Sequence, residues 1–262
     1  MVDERDVSMI DWWKASRREF VMLSAGAGFD LANSRMNAAE PQKEAPAGPR
    51  PLNADEALHQ LLAGNHRFMI GRPLGPRRSP EEFRALAHGQ FPEAVVVSCA
   101  DSRVAPEILF DVGVGDIFVV RVAGNVIDGA GVTIKGSIEY AVAELNVPLI
   151  LVLGHRGCGA VKAAIQHIHD RDSLPGAING LVELIKPAVA KSKGMAGDPL
   201  ENAIRRNVEI GVERLQGLEP ILAPRVKAGK VKVVGGVYDL RTGDVMLTGI
   251  RRAQVEVKKA LA

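Results

Sequence analysis

Leu149-Ile150-Leu151-Val152-Leu153-Gly154-His155-Arg156-Gly157-Cys158-Gly159 is an apolar run that breaks into a glycine-rich turn carrying a histidine and a cysteine. Five aliphatic residues without alternation predict a strand buried on both faces, the form strands take in parallel sheets. Ala94–Val97 and Ile117–Val122 read the same way, and between Ile117–Val122 and Leu149–Leu153 the stretch Val132–Leu145 carries Ile134, Ile138, Val142 and Leu145 at helical spacing. Downstream, Asp198-Pro199 opens a helix with Leu200, Ile204, Val208, Val212 and Leu215 on one face. Val231–Val234 is a fourth strand, and Asp239–Asp244 turns around Thr242-Gly243 into Val245–Leu247, a fifth, edge strand. The fold class expected is α/β, a mostly parallel central sheet of about four parallel strands plus an antiparallel edge strand, with flanking helices.

Upstream, Asn53 caps a helix with Glu56 at its third position, and Ser79-Pro80-Glu81-Glu82 starts another. Residues 1–51 read as a leader and linker, leaving 52–262 as a single domain. Met36 to Pro51 is rich in Ala, Pro and charge without periodicity. Before it, Arg17-Arg18 precedes a charge-free Gly/Ala-rich stretch to Phe29, a pattern similar to a twin-arginine export signal. An amphipathic N-terminal helix presenting Trp12, Trp13, Phe20 and Leu23 is the other reading, since Asp30 cuts the apolar stretch short. The expected location is periplasmic or secreted if the arginines direct export, and cytoplasmic otherwise.

Composition narrows the function classes. With 33 basic and 31 acidic residues the net charge is +2, which points to neither nucleic acid nor an anionic membrane as partner. No apolar run approaches the ~18 residues that span a bilayer, so stable membrane insertion is not expected. Two cysteines cannot build a disulfide scaffold.

Both cysteines instead fall just after predicted strands, where open α/β sheets bind ligands. Cys99 leads Cys99-Ala100-Asp101-Ser102-Arg103; His155 and Cys158 stand three apart in the glycine-rich turn. If their strands are neighbours, two thiolates and an imidazole meet at one place, a donor set that suits Zn²⁺ with a fourth position open. Taken singly, a buried cysteine is more often a small hydrophobe, and a Cys99–Cys158 disulfide is open to an exported chain. Asp101 and Arg103 taken alone read as a surface ion pair, and His167 and His169 as surface residues. The 59 positions between the cysteines do not suit thiol redox chemistry. The turn lacks the Lys and Ser/Thr of a phosphate loop, with Ala160 and Val161 in their places, and Gly113-Val114-Gly115 lacks the third glycine of a dinucleotide fingerprint.

In that order, Cys99-Ala100-Asp101-Ser102-Arg103 and His155-Arg156-Gly157-Cys158 resemble the beta-class carbonic anhydrases. Leu62-Ala63-Gly64-Asn65-His66-Arg67-Phe68, Phe118-Val119-Val120-Arg121 with Gly124-Asn125, and Ile138-Glu139-Tyr140-Ala141 extend the resemblance over roughly Leu52 to Leu247. It implies reversible hydration of carbon dioxide to bicarbonate and a proton, with one Zn²⁺ per subunit on Cys99, His155 and Cys158. A zinc-bound hydroxide would be oriented by an Asp101–Arg103 dyad, and Asp101 can itself serve as a metal ligand in the family. Gln90, Phe118, Ala123, Tyr140 and Gly159 match positions lining the substrate pocket, some supplied across the interface of a homodimer or homotetramer. Family members with an inhibitory bicarbonate site carry Trp three residues before the first cysteine; Val96 stands there, although Arg121 and Tyr238 are present. Hydrolysis of carbonyl sulfide or carbon disulfide on the same scaffold, and a non-enzymatic zinc-binding module, are the alternatives.

Overall fold

The computed structural model describes residues 53–127, 131–170 and 172–249. The readings for residues 1–51, including Arg17-Arg18, lie outside them. Five strands form one sheet in the order β2-β1-β3-β4-β5. These are β1 (Ala94–Ser98), β2 (Ile117–Arg121), β3 (Leu149–His155), β4 (Lys232–Tyr238) and β5 (Val245–Leu247). The first four run parallel, and β5 pairs antiparallel with β4. The expected class, strand number and edge hairpin therefore hold.

Both faces of the sheet are covered, as the unalternating apolar strands require. One face sets Val95, Val97, Ile150 and Val152 against Ile138 and Val142 of α4 (Gly131–Ala143), Ile185 of α6 (Ala177–Ser192) and Ile204 and Val208 of α7 (Pro199–Gln216). The other packs Ala94, Val96, Leu149, Leu151 and Leu153 against Ala57 and Leu61 of α1 (Ala54–Met69) and against Leu109 and Phe110. Each such buried aliphatic side chain stabilises the fold by about 1.5–3 kcal/mol over its exposed state.

The expected helix starts are built as read. Asn53 accepts hydrogen bonds from the amides of Asp55 and Glu56 while Glu56 reaches back to the cap, and Asp198 accepts from Leu200 and Glu201. Ser79 caps only α2 (Pro80–Phe83), which runs on as a 3₁₀ turn over Arg84–His88.

Several boundaries differ from expectation. The helix expected over Val132–Leu145 is Gly131–Ala143. The strand expected over Leu149–Leu153 runs on to His155, which pairs with Tyr238, so the histidine ends the strand rather than sitting in the turn. The fourth strand extends through Gly235 and Gly236, which look like breakers in sequence. Gly235 is required by a close approach, because a Cβ there would lie 2.7 Å from Val208 Cγ1 and 2.3 Å from Thr248 Oγ1. Three helices escape the sequence patterns: the short α3 (Pro106–Leu109) and α8 (Leu222–Lys227), and α6, whose periodicity is interrupted by Pro187. The glycine-rich turn leads, as expected, into α5 (Gly159–Asp170).

Among the described residues, no helix is long and apolar enough to cross a membrane.

Candidate metal centre

Strand register brings the chemistry together. β1 and β3 are neighbours with Ser98 opposite Leu153, so Cys99 and His155 leave the sheet side by side at its carboxyl end. Gly157 then takes a left-handed conformation at φ 64°, which costs a glycine little, and turns Cys158 onto the start of α5. Amides of Ala160 and Val161 at that helix start hydrogen-bond toward the Cys158 sulfur. As a result the ligand atoms of Cys99, His155 and Cys158 lie within 4.8 Å of one another, all three residues being buried.

His155 Nδ1 stands 3.1 Å from the carbonyl oxygen of Arg156. A carbonyl only accepts, so Nδ1 carries the hydrogen and Nε2 is left with a free lone pair. Nε2 is buried and finds no hydrogen-bond partner among the described residues. An orphaned buried acceptor facing two sulfurs is costly unless something electrophilic sits between them.

The sulfurs are electrostatically linked. A hydrogen bond from the Cys158 thiol, against the cost of burial, together with the amides of Asp101 and Gly124, draws Cys99 down to about 4. Cys158, donating to a neighbouring thiolate and desolvated by burial, is pushed upward. Two buried thiols in which one thiolate suppresses the other would both ionise beside a divalent cation. The donor set therefore fits a borderline-soft metal held at three points.

Asp101 lies at the mouth of this cluster. Arg103 grips it bidentately, Nε donating to Oδ1 at 2.9 Å and Nη2 to Oδ2 at 2.7 Å, and the Arg103 amide donates to Oδ1 at 3.0 Å. These bonds hold the Asp101 carboxyl well below the usual carboxylate range. Its Oδ2 is 3.7 Å from His155 Nε2, close enough to share a small molecule bound at the cluster. Arg121 braces the same loop, donating to the carbonyls of Cys99 at 3.1 Å and Asp101 at 2.6 Å. Val96 is wholly buried in the core.

The five expected pocket residues divide. Ala123 adjoins Gly124, whose amide donates to Cys99 Sγ at 3.2 Å, and Gly159 directly follows Cys158. Phe118 does not reach the cluster from its own chain. It lies opposite Val95, four residues before Cys99, which is about 13 Å along the strand. Gln90 precedes β1 at that far end and is exposed. Tyr140 stacks near Phe118 with ring centroids 6.3 Å apart and is 48% exposed. Of the other histidines, His169 is exposed and His167 pairs with Asp172 at 2.6 Å.

Sequence reading passed over Glu201, Asn207 and Asp239 and gave no role to Gly124 or Arg156, which stood in the quoted motifs. Together these five form hydrogen-bonded supports around the candidate ligands. Arg156 stood in the quoted motif, but its partners lie 45 and 83 residues away, beyond any local pattern.

Residues 94–245 match the family model described as carbonic anhydrase. The chain is 44% identical over 195 residues to carbonic anhydrase 2 of Mycobacterium tuberculosis, covering 74% of this chain and 93% of that protein. It is 42% identical to the carbonic anhydrase of Mycolicibacterium smegmatis with the same coverage of each. A beta-carbonic anhydrase from Coccomyxa, solved with acetazolamide, is 32% identical and superposes with a TM-score of 0.57 over 63% of this chain and 76% of its own. The cysteine–histidine cluster thus sits where the family match and the sheet topology coincide, and the chain belongs to the beta-class carbonic anhydrases.

Proposed function

We propose that the protein hydrates carbon dioxide reversibly to bicarbonate and a proton, using one zinc ion per subunit held by Cys99, His155 and Cys158. The observation that carries this reading is the buried triad of two sulfurs and an unpartnered imidazole nitrogen within 4.8 Å. When bound, zinc lowers the pKa of water toward neutrality and so supplies a strong nucleophile. The chain's own residues direct it. Asp101, kept ionised by Arg103, is an acceptor only, so it takes the O–H of the attacking oxygen and turns a lone pair toward the substrate carbon. Arg103 holds both oxygens of that carboxylate, which keeps it from serving as a further donor beside Cys99, His155 and Cys158.

The subunit proposed here works as a homodimer or a multiple of it. Among the described residues β2 is an edge strand of the sheet, and its Phe118, with Tyr140 of α4, is only partly covered. A second copy along this edge supplies Gln90, Phe118 and Tyr140 to a neighbouring cluster, which their own chain does not.

Stopped-flow hydration of carbon dioxide, run beside metal analysis before and after chelation, tests the reading. Activity that tracks zinc at one ion per subunit and returns on adding zinc back is expected. Full activity in metal-free protein, or turnover of carbonyl sulfide or carbon disulfide in place of carbon dioxide, overturns it.

A further inference from the structure

Cys99 stands in the loop after β1, whereas His155 ends β3 and Cys158 lies in the turn that follows it. One helix meets that turn directly and reaches the Cys99 loop through Gly124. Glu201, in the first turn of α7, accepts from the Gly157 amide at 3.2 Å and from Arg156 Nε at 2.8 Å. Arg156 is held on its other side by Asp239 at 2.8 Å, and its amide continues the β3–β4 ladder by donating to Tyr238 at 2.9 Å. The Arg156 carbonyl is the one that accepts from His155 Nδ1, so this clamp fixes the peptide that sets the imidazole's tautomer and orientation.

Six residues further along α7, Asn207 is buried and donates from Nδ2 to the Gly124 carbonyl at 2.7 Å. Gly124 sits left-handed at φ 70° and points its amide at Cys99 Sγ. Between the two contacts the helix presses directly on the strand end. A Cβ at Gly154 would lie 2.6 Å from Val208 Cγ2, so the backbone just before His155 has no slack against α7. Glu201, Ile204, Asn207, Val208 and Gly211 recur at spacings of three, three, one and three, which puts them along one helix face.

We propose that α7 is the spacer of the metal centre. Glu201, through Arg156 and Gly157, and Asn207, through Gly124, are positioning residues that hold the His155–Cys158 loop and the Cys99 loop at the separation one ion can bridge. The inference rests on the zinc reading above and says which residues tune its grip. None of them touches the ligand cluster's open position, so they act on how long metal stays and on how symmetric its shell is.

The test uses the full-length protein loaded with zinc, with release followed by a chromophoric chelator, and with cobalt in place of zinc for its absorption spectrum. Outer-shell partners of metal ligands ordinarily matter 10–100-fold in affinity. Glu201→Ala and Asn207→Ala are each expected to speed metal loss about 10-fold or more and to shift the cobalt bands. Glu201→Gln keeps an acceptor for Gly157 and is expected to fall between. Arg156→Ala added to Glu201→Ala is expected to cost less than the sum of the two, because they form one clamp. Thermal midpoints of the zinc-free forms separate a packing role from this one. If the variants melt lower but release zinc at the wild-type rate with unchanged cobalt bands, α7 is only scaffold and the proposal is wrong. Should Asn207→Ala not fold, the half-exposed Glu201 pair still decides. Wild-type protein that takes up no zinc overturns the underlying reading itself, a result distinct from variants that match a zinc-binding wild type.

Discussion

Gly64→Ala is the substitution on which the packing of α1 against the sheet's second apolar layer can be worked most closely. Gly64 lies inside α1, where alanine is normally the better helix former by about 1 kcal/mol. A Cβ there would stand 1.7 Å from the Phe110 carbonyl oxygen and 2.8 Å from its carbon. Ordinary contact needs about 3.2 Å or more, so α1 has to retreat by roughly 1.5 Å or the buried Phe110 peptide has to move. The next residue, Asn65, cannot follow such a shift. It donates to Leu109 at 2.9 Å and Gly243 at 2.8 Å, and accepts from Val245 at 3.0 Å. A 1.5 Å retreat pulls all three past hydrogen-bonding range. At about 1–1.5 kcal/mol each, less the helix propensity gained, the net loss is about 3 kcal/mol. Urea unfolding of the two proteins measures it. Gly136→Ala in α4 is the control, since a Cβ there meets nothing within 4 Å and is expected to stabilise by about 0.5–1 kcal/mol. Gly64→Ala within about 1 kcal/mol of wild type would refute the reasoning.

Cys158→Ser should lose most bound zinc and activity, because a neutral hydroxyl replaces a thiolate; unchanged metal stoichiometry would sink the ligand assignment. Asp101→Asn should keep its metal yet lose about 100-fold or more in turnover, an amide being a weaker acceptor than a carboxylate; near-wild-type hydration rates would remove Asp101 from the chemistry. Asp239 is held below its ordinary carboxylate range, first by the Arg241 amide and then by Arg156. Its contribution to stability is thus present above the unfolded value near 3.9 and fades as pH falls through the lowered folded one. The stability gap between wild type and Asp239→Asn should shrink below about pH 4, and a gap constant from about pH 7 to 3 contradicts it. If Arg17-Arg18 directs export, replacing both with lysine should leave the protein in the cytoplasm, as fractionation would show; identical distribution of both forms argues for the N-terminal-helix reading.

What could be read beforehand follows from how local each signal is. Apolar runs of four to six residues located β1 and β3 because a doubly covered strand has no polar face, and β2 showed the same run although it lies at the edge and is only partly buried. The caps of α1 and α7 were legible because Asn53, Glu56 and Asp198 act within three residues of themselves. The triad was legible because its members stand next to strand ends, where parallel sheets place their ligands. Arg156 was visible as a letter but not as a clamp, since Glu201 and Asp239 reach it only after the chain has folded back on itself. Phe118 looked like a pocket residue and is one strand-length from its own cluster, a fact that only the parallel register reveals. α6 stayed hidden because Pro187 stands inside it.

That same register exposes a problem which the polar supports solve. β1 and β3 are apolar on both faces, so sliding one past the other by a residue exchanges Val for Val or Leu for Ile with little penalty in hydrophobicity. Such a slip would nonetheless flip side chains between faces and carry His155 away from Cys99. Discrimination must therefore come from groups that do not repeat along the strands, and these cluster at the carboxyl end. Arg121 takes the carbonyls of Cys99 and Asp101, Asn207 takes that of Gly124, and the Arg156 guanidinium takes the carboxylates of Glu201 and Asp239. None of these groups repeats along a strand, and each contact ends within three residues of Cys99, His155 or Gly124, whose amide bonds the Cys99 sulfur. Side chains that fix the strand pairing and side chains that aim the ligands are the same ones. Weakening them should accordingly loosen the site before it unfolds the sheet, whose stability rests on the aliphatic layers beneath.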